Sequence, residues 1–131
     1  MILLDWRDEY RVGVPDVDHE HEALIGLINE LHASLGTDRS GERVEAFLGE
    51  IYARISAHFA LEEKQMQVSG YPQRAPHKAD HERLLDDLRD IMDEVAAHDV
   101  LDDEALSRRL AAWFGEHFRT HDALLHDAWT R

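Results

Sequence analysis

Apolar residues recur along most of this chain at intervals of three and four, the pattern of helices that bury one face. The first stripe is His21, Leu24, Ile25, Ile28, Leu31 and Leu35, preceded by Asp16 and Asp18, either of which suits an N-cap. A turn-forming run from Gly36 to Gly41 follows. The second stripe is Val44, Phe47, Leu48, Ile51, Ile55, His58, Phe59, Glu62 and Met66, closed by Ser69, Gly70, Tyr71 and Pro72. Glycine and then proline suit a helix exit. The third carries His77, His81, Leu84, Leu88, either Ile91 or Met92, and Val95. After an acidic, turn-prone run from Asp99 to Asp103, the fourth presents Leu106, Leu110, Trp113, Phe114, His117 and Phe118, then Leu125 and Trp129.

Strand-like alternation is absent. Residues 1–17 show no helical period and hold Trp6, Tyr10, Val12, Gly13, Val14 and Pro15, which reads as an ordered arm with its aromatics packed on the outside of the core. Four helices on short loops predict an all-α, antiparallel up-down-up-down four-helix bundle, a single domain over residues 1–131 with an N-terminal arm.

At 44% hydrophobic, 131 residues can bury a core of ordinary size. The formal net charge of -14 argues against nucleic acid and anionic membrane as partners, because both select clustered Lys and Arg. With no cysteine, disulfides, thiolate catalysis and Cys-held zinc or iron–sulfur sites are excluded. No run approaches the roughly 20 apolar residues of a membrane span, and MILLDWRDEY does not read as a signal peptide. The expected location is cytoplasmic.

The stripes also carry groups that do not belong in a plain core. His21, His58, Glu62, His77, His81, His117 and Asp122 fall on four separate helical faces. Buried without partners they would be costly. Imidazole and carboxylate are donors that suit iron among other metals. His58 and Glu62 are four residues apart, as are His77 and His81, so each pair shares a helix face. In an antiparallel bundle all four helices can aim such groups at one level of the core.

His117 and Asp122 are five apart. Five residues turn an α-helix by about 500°, or roughly 140° net, so the two diverge. Either the carboxylate reaches across from a neighbouring stripe, or the helix holds a local π-bulge. Simple helix geometry would favour His121, four after His117. Each motif has a bland reading alone: a core histidine at His21, a chance HxxxE or HxxxH elsewhere. Their ordered co-occurrence is what points to metal. His19, His98 and His126 read as solvated, and His32 as half-buried. Glu-x-x-His, used by ferritin-like sites, and His-Glu-x-x-His, used by zinc proteases, do not occur.

From Trp6 to about Trp129 the chain resembles the hemerythrin family in its bacterial single-domain form. The resemblance rests on W-x-x-x-Y-x-V-G-V-x-x-V-D-x-E-H ending at His21, on H-F-x-x-E-E-x-x-M from His58 to Met66, and on the Y-P pair Tyr71 and Pro72. It continues through H-x-x-x-H at His77 and His81 and W-F-x-x-H-F-x-x-x-D from Trp113 to Asp122. It implies reversible dioxygen binding at two non-heme iron ions, oxo- or hydroxo-bridged. His77, His81 and His117 would hold one iron, and His21 and His58 the other, which keeps an open position. Glu62 and Asp122 would bridge, leaving His121 a neighbour.

Such a site needs a dry wall, and Phe59, Trp113, Phe114 and Phe118 flank the ligands. It also needs outer partners for the histidines, for which Asp18, Glu50 and Asp80 are candidates. Three positions depart from the family's usual pattern. Phe114 and Phe118 stand where smaller aliphatic residues are common, and Leu125 stands where a tyrosine is frequent. The expected role is an oxygen carrier, store or delivery protein, not an enzyme, with dioxygen and a protein such as an oxidase as partners. The alternatives are a sensor module for oxygen or redox state, or a di-iron enzyme acting on peroxide or nitric oxide.

Overall fold

The structure is a computed structural model that describes residues 3–11, 15–37, 40–98 and 100–125. Its helices are α1 (Pro15–Leu35), α2 (Gly41–Ser69), α3 (Arg74–His98) and α4 (Asp103–His117), with a 3-10 turn at Asp8–Tyr10 and a π-helical turn at Phe118–Asp122. Among the described residues there is no strand. They fall into two compact units, one within Met1–Ala33 and Asp102–Arg131, the other within Ser34–Leu101.

The second unit is a helical hairpin. Val44, Phe47, Leu48, Ile51, Ile55, Phe59 and Met66 of α2 are buried, as are Leu84, Leu88, Ile91 and Val95 of α3. Of the two candidates on α3, Ile91 takes the core position and Met92 lies half out. Polar pairs set the antiparallel register: Tyr52 with Arg89, Glu63 with His81, Glu62 with His77. The reversal between the helices is a Schellman motif. Gly70 adopts φ +67°, where a side chain would be strained. Its N–H donates to the Gln67 carbonyl and that of Tyr71 to the Met66 carbonyl, with Met66 and Tyr71 both buried beneath the turn.

The first unit pairs α1 with α4. His32 in the last turn of α1 meets Asp103 in the first turn of α4 at 2.9 Å, and His21 meets Asp122 at 3.1 Å, so these helices also run antiparallel. Asp102 caps α4 by accepting from the Ala105 N–H at 3.0 Å, and Asp103 and Glu104 complement the positive helix end. His32 is buried, deeper than its stripe position implies.

The N-terminal arm is pinned by backbone pairing. The Leu4 N–H donates to Asn29 Oδ1, Asn29 Nδ2 donates back to the Leu4 carbonyl, and Ser107 Oγ donates to the Leu3 carbonyl. Two expectations need correcting. Helix α1 begins at Pro15, inside the expected arm, because proline is preset for the first helical position, where no N–H is needed. Tyr10 is not on the outside; it is buried, in edge contact with Trp6 and Phe118. Gly115 permits this approach, since a Cβ there would lie 3.3 Å from the Tyr10 ring. Val12, Gly13, Val14, Asp99, His126 and Trp129 lie outside the described residues.

Candidate metal centre

In the first unit Asp122 stands between two imidazoles. Its Oδ2 is 3.1 Å from His21 Nε2 and its Oδ1 is 3.0 Å from His117 Nε2, with all three side chains buried. The five-residue spacing is met by the π turn. The Ala123 N–H reaches back five residues to the Phe118 carbonyl, and the wider turn brings Asp122 under His117. Arg119 Nε and Thr120 Oγ1 donate to the Gly115 and Glu116 carbonyls one turn earlier, covering backbone near the distortion. Of the two arrangements open from sequence, the bulged helix is the one adopted.

In the second unit the carboxylate is Glu62. A single oxygen, Oε1, lies 2.6 Å from His77 Nε2 and 3.2 Å from His81 Nε2. One turn back on α2, half-buried His58 brings a ring nitrogen within 4.8 Å of a Glu62 oxygen. His77, on α3, enters the helix through its N–H bond to the Gln73 carbonyl, and His81 follows one turn on.

Aromatic rings fix three of the imidazoles face-on. Phe118 lies flat on His21 at 3.9 Å, Phe59 on His81 at 3.9 Å, and Trp113 on His117 at 4.4 Å. Phe114 packs against both Trp113 and Phe118. All four aromatics expected to flank the ligands are therefore found at one cluster or the other, and the bulk of Phe118 is spent as a stacking surface for His21. Leu125 is fully buried in apolar packing.

Of the three candidate outer partners, Glu50 is engaged away from the histidines. Glu50 pairs with exposed Arg54 at 3.0 Å and serves the surface. Asp80 is buried and binds Arg83, whose guanidinium it holds above the usual range through a hydrogen bond and its charge. Asp18 is buried three residues before His21. The residue missed is Glu63, whose Oε2 lies 2.9 Å from His81 Nδ1. Its signal was the doubled acid after His58, of which only Glu62 shares the His58 face. His121 is half-buried and stacks on His117 at 5.5 Å; no metal-capable grouping of the described residues includes it. His19 and His98 are exposed.

The donor sets fit a metal ion. Neighbouring donors on an octahedral ion with bonds of about 2.1 Å lie about 3.0 Å apart. The four carboxylate–imidazole separations of 2.6, 3.2, 3.1 and 3.0 Å bracket that edge. His81 adds a chemical reason. Both of its nitrogens face carboxylate oxygens, yet a neutral ring carries one N–H. With that proton given to Glu63, the Nε2 lone pair would confront Glu62 Oε1. One cation bonded to Oε1 and to Nε2 of both His77 and His81 reconciles all three atoms.

An all-α chain that sets buried imidazoles around carboxylates in this way is a metal-binding helical protein with nitrogen and oxygen donors. The sequence model of the hemerythrin HHE cation binding domain matches residues 12–129, and the chain belongs to the hemerythrin family. It is similar to the bacteriohemerythrin of Stenotrophomonas maltophilia (strain R551-3), 31% identical over 127 residues that cover 97% of this chain and 82% of the relative. The bacteriohemerythrin of Methylococcus capsulatus (strain ATCC 33009 / NCIMB 11132 / Bath) is 27% identical, covering 95% of each. A crystal structure of wild-type hemerythrin aligns with TM-score 0.73 at 26% identity over 92% of each chain. That of a hemerythrin point mutant aligns with TM-score 0.75 at 26% identity over 95% of each. The fold is accordingly the all-α four-helix bundle expected from the sequence. Among the described residues no helix is long and apolar enough to cross a membrane.

Proposed function

We propose that the protein binds dioxygen reversibly at a non-heme di-iron centre whose ligands are His21, His58, Glu62, His77, His81, His117 and Asp122. The observation that carries this reading is how the carboxylate oxygens are shared. Asp122 offers one oxygen to His21 and the other to His117, whereas Glu62 offers a single oxygen to both His77 and His81. In a bridging carboxylate each oxygen serves one metal. His21 and His117 would then serve different irons, and His77 and His81 the same one.

This matches a division with His77, His81 and His117 on one iron and His21 and His58 on the other. On two octahedral ions, five imidazoles, two bridging carboxylates and one shared oxygen would leave a single position open. The chemistry supplied by a bound iron pair is reversible electron donation to dioxygen. The protein's part is to hold the donors and keep water away, and the rings of Phe59, Phe118 and Trp113 do this by covering imidazole faces. Glu62, Glu63 and Asp122 are each engaged with imidazole nitrogen, which suits them to serve as ligands and supports more than as proton donors. That favours a carrier, store or delivery protein over an enzyme, with an oxidase as a fitting recipient.

Protein loaded with ferrous iron without air is expected to hold two irons per chain. On exposure to oxygen it should gain a visible charge-transfer band that disappears on deoxygenation and returns over repeated cycles. Slow oxidation with no reversible band would sink the proposal. His121→Ala is expected to leave the iron content unchanged, since this ring stacks beside His117 and belongs to no metal-capable grouping of the described residues; iron analysis of the purified variant checks it.

A further inference from the structure

Glu63 stands beside the site without being among its proposed ligands, and we infer that it is a positioning residue that fixes the tautomer of His81 and tunes the metal that His81 binds. The inference rests on the di-iron reading above. His81 is fully buried and constrained from three directions. Phe59 covers one ring face at 3.9 Å and nearly parallel, Glu63 Oε2 stands 2.9 Å from Nδ1, and Glu62 Oε1 stands 3.2 Å from Nε2.

Glu63 and Glu62 are consecutive on α2, so their side chains point about 100° apart around the helix axis. They nevertheless reach opposite nitrogens of one imidazole, because that ring lies over the α2 surface between them. The proton therefore sits on Nδ1, donated to Glu63, and Nε2 keeps its lone pair for the metal. An anionic acceptor at Nδ1 also makes the ring more electron-rich, which stabilises the higher oxidation state. Glu63 is about one-fifth exposed, so its charge faces solvent on one side and acts on His81 on the other. His77 and His81 share Glu62 Oε1, so the effect falls on the iron that the proposed division leaves coordinatively full.

The test compares wild type with Glu63→Leu and Glu63→Gln, the second keeping an oxygen acceptor without the charge. Cobalt(II) titrated into the metal-free proteins against a competing chelator reads affinity. Glu63→Leu is expected to weaken binding by roughly 10- to 100-fold, and Glu63→Gln to recover most of that loss. The shifted, exchangeable Nδ1–H resonance of His81 in the cobalt form should persist in the Gln variant and vanish in the Leu variant. In iron-loaded protein both variants should show a more positive reduction potential, since both remove the charge. Should Glu63→Leu fail to fold, the potential of Glu63→Gln still decides. Wild-type affinity, resonance and potential in both variants would overturn the inference alone; a wild-type protein that takes up no cobalt or iron would overturn the di-iron reading beneath it.

Discussion

Asp122→Ala should reduce the iron content from two per chain to one or none and abolish the reversible visible band. This carboxylate faces both His21 and His117, each through a separate oxygen. A histidine that loses a charged partner in a buried site costs about 1–3 kcal/mol, and here two lose it together. Without the bridge, neither metal of the proposed pair would retain a full donor set, and the charge of two adjacent cations would go uncompensated. Glu62→Ala should act in the same direction through His77 and His81. Asp122→Asn is the sharper variant: nearly the same shape, able to accept at one atom only, and neutral. It should also fail to hold two irons. Iron per chain, with circular dichroism to show retained helix, is the measurement, and an Ala variant that keeps two irons would refute the bridging role.

Much of this site could be read from spacing alone because helix geometry is local. HxxxE at His58 and Glu62 and HxxxH at His77 and His81 needed only the rule that residues four apart share a face. The buried positions of α2 and α3 follow the same rule, and their stripes emerge with the residues expected. The His117–Asp122 interval violated the rule, and the violation was itself informative. A five-residue interval cannot align two ligands on an α-helix, and the structure answers with a π turn over Phe118–Asp122.

What could not be read has a different physical origin. His32 with Asp103, Leu3 with Ser107, and Leu4 with Asn29 are pairings between residues distant in sequence. No periodicity within a helix encodes them. Tyr10 lies deeper than a place against the outside of the core for the same reason: its burial depends on a glycine at position 115 that, from sequence, is one more small residue in a helix. Glu63 lies off the His58–Glu62 face, so spacing along α2 does not single it out. Its partner is on the next helix, so only the packing of α2 on α3 shows that both faces of this ridge are used. Glu50, one of three acids that sequence alone cannot choose between, pairs with Arg54 on the surface.

Phe118→Ala is expected to give the largest loss of stability of any substitution outside the ligands, about 3–5 kcal/mol in the metal-free protein. The ring is almost wholly buried, lies flat on His21, meets Phe114 at 5.3 Å and takes the edge of Tyr10 at 5.8 Å. Its removal opens a cavity where the arm, α1 and the π turn meet within one unit. The surrounding rings are held by their own contacts and can fill little of it. A loss of that size consumes a large share of the 5–15 kcal/mol typical of a domain, yet leaves the native state populated. The urea midpoint of the metal-free variant reads it directly. Phe118→Leu keeps much of the volume but not the planar stack, so it should lose less stability while still loosening His21. Faster chelator extraction of one iron from the Leu variant, with only a modest change in urea midpoint, would separate the stacking role from the packing role. Equal extraction rates in wild type and Phe118→Leu would show that the ring serves the core alone.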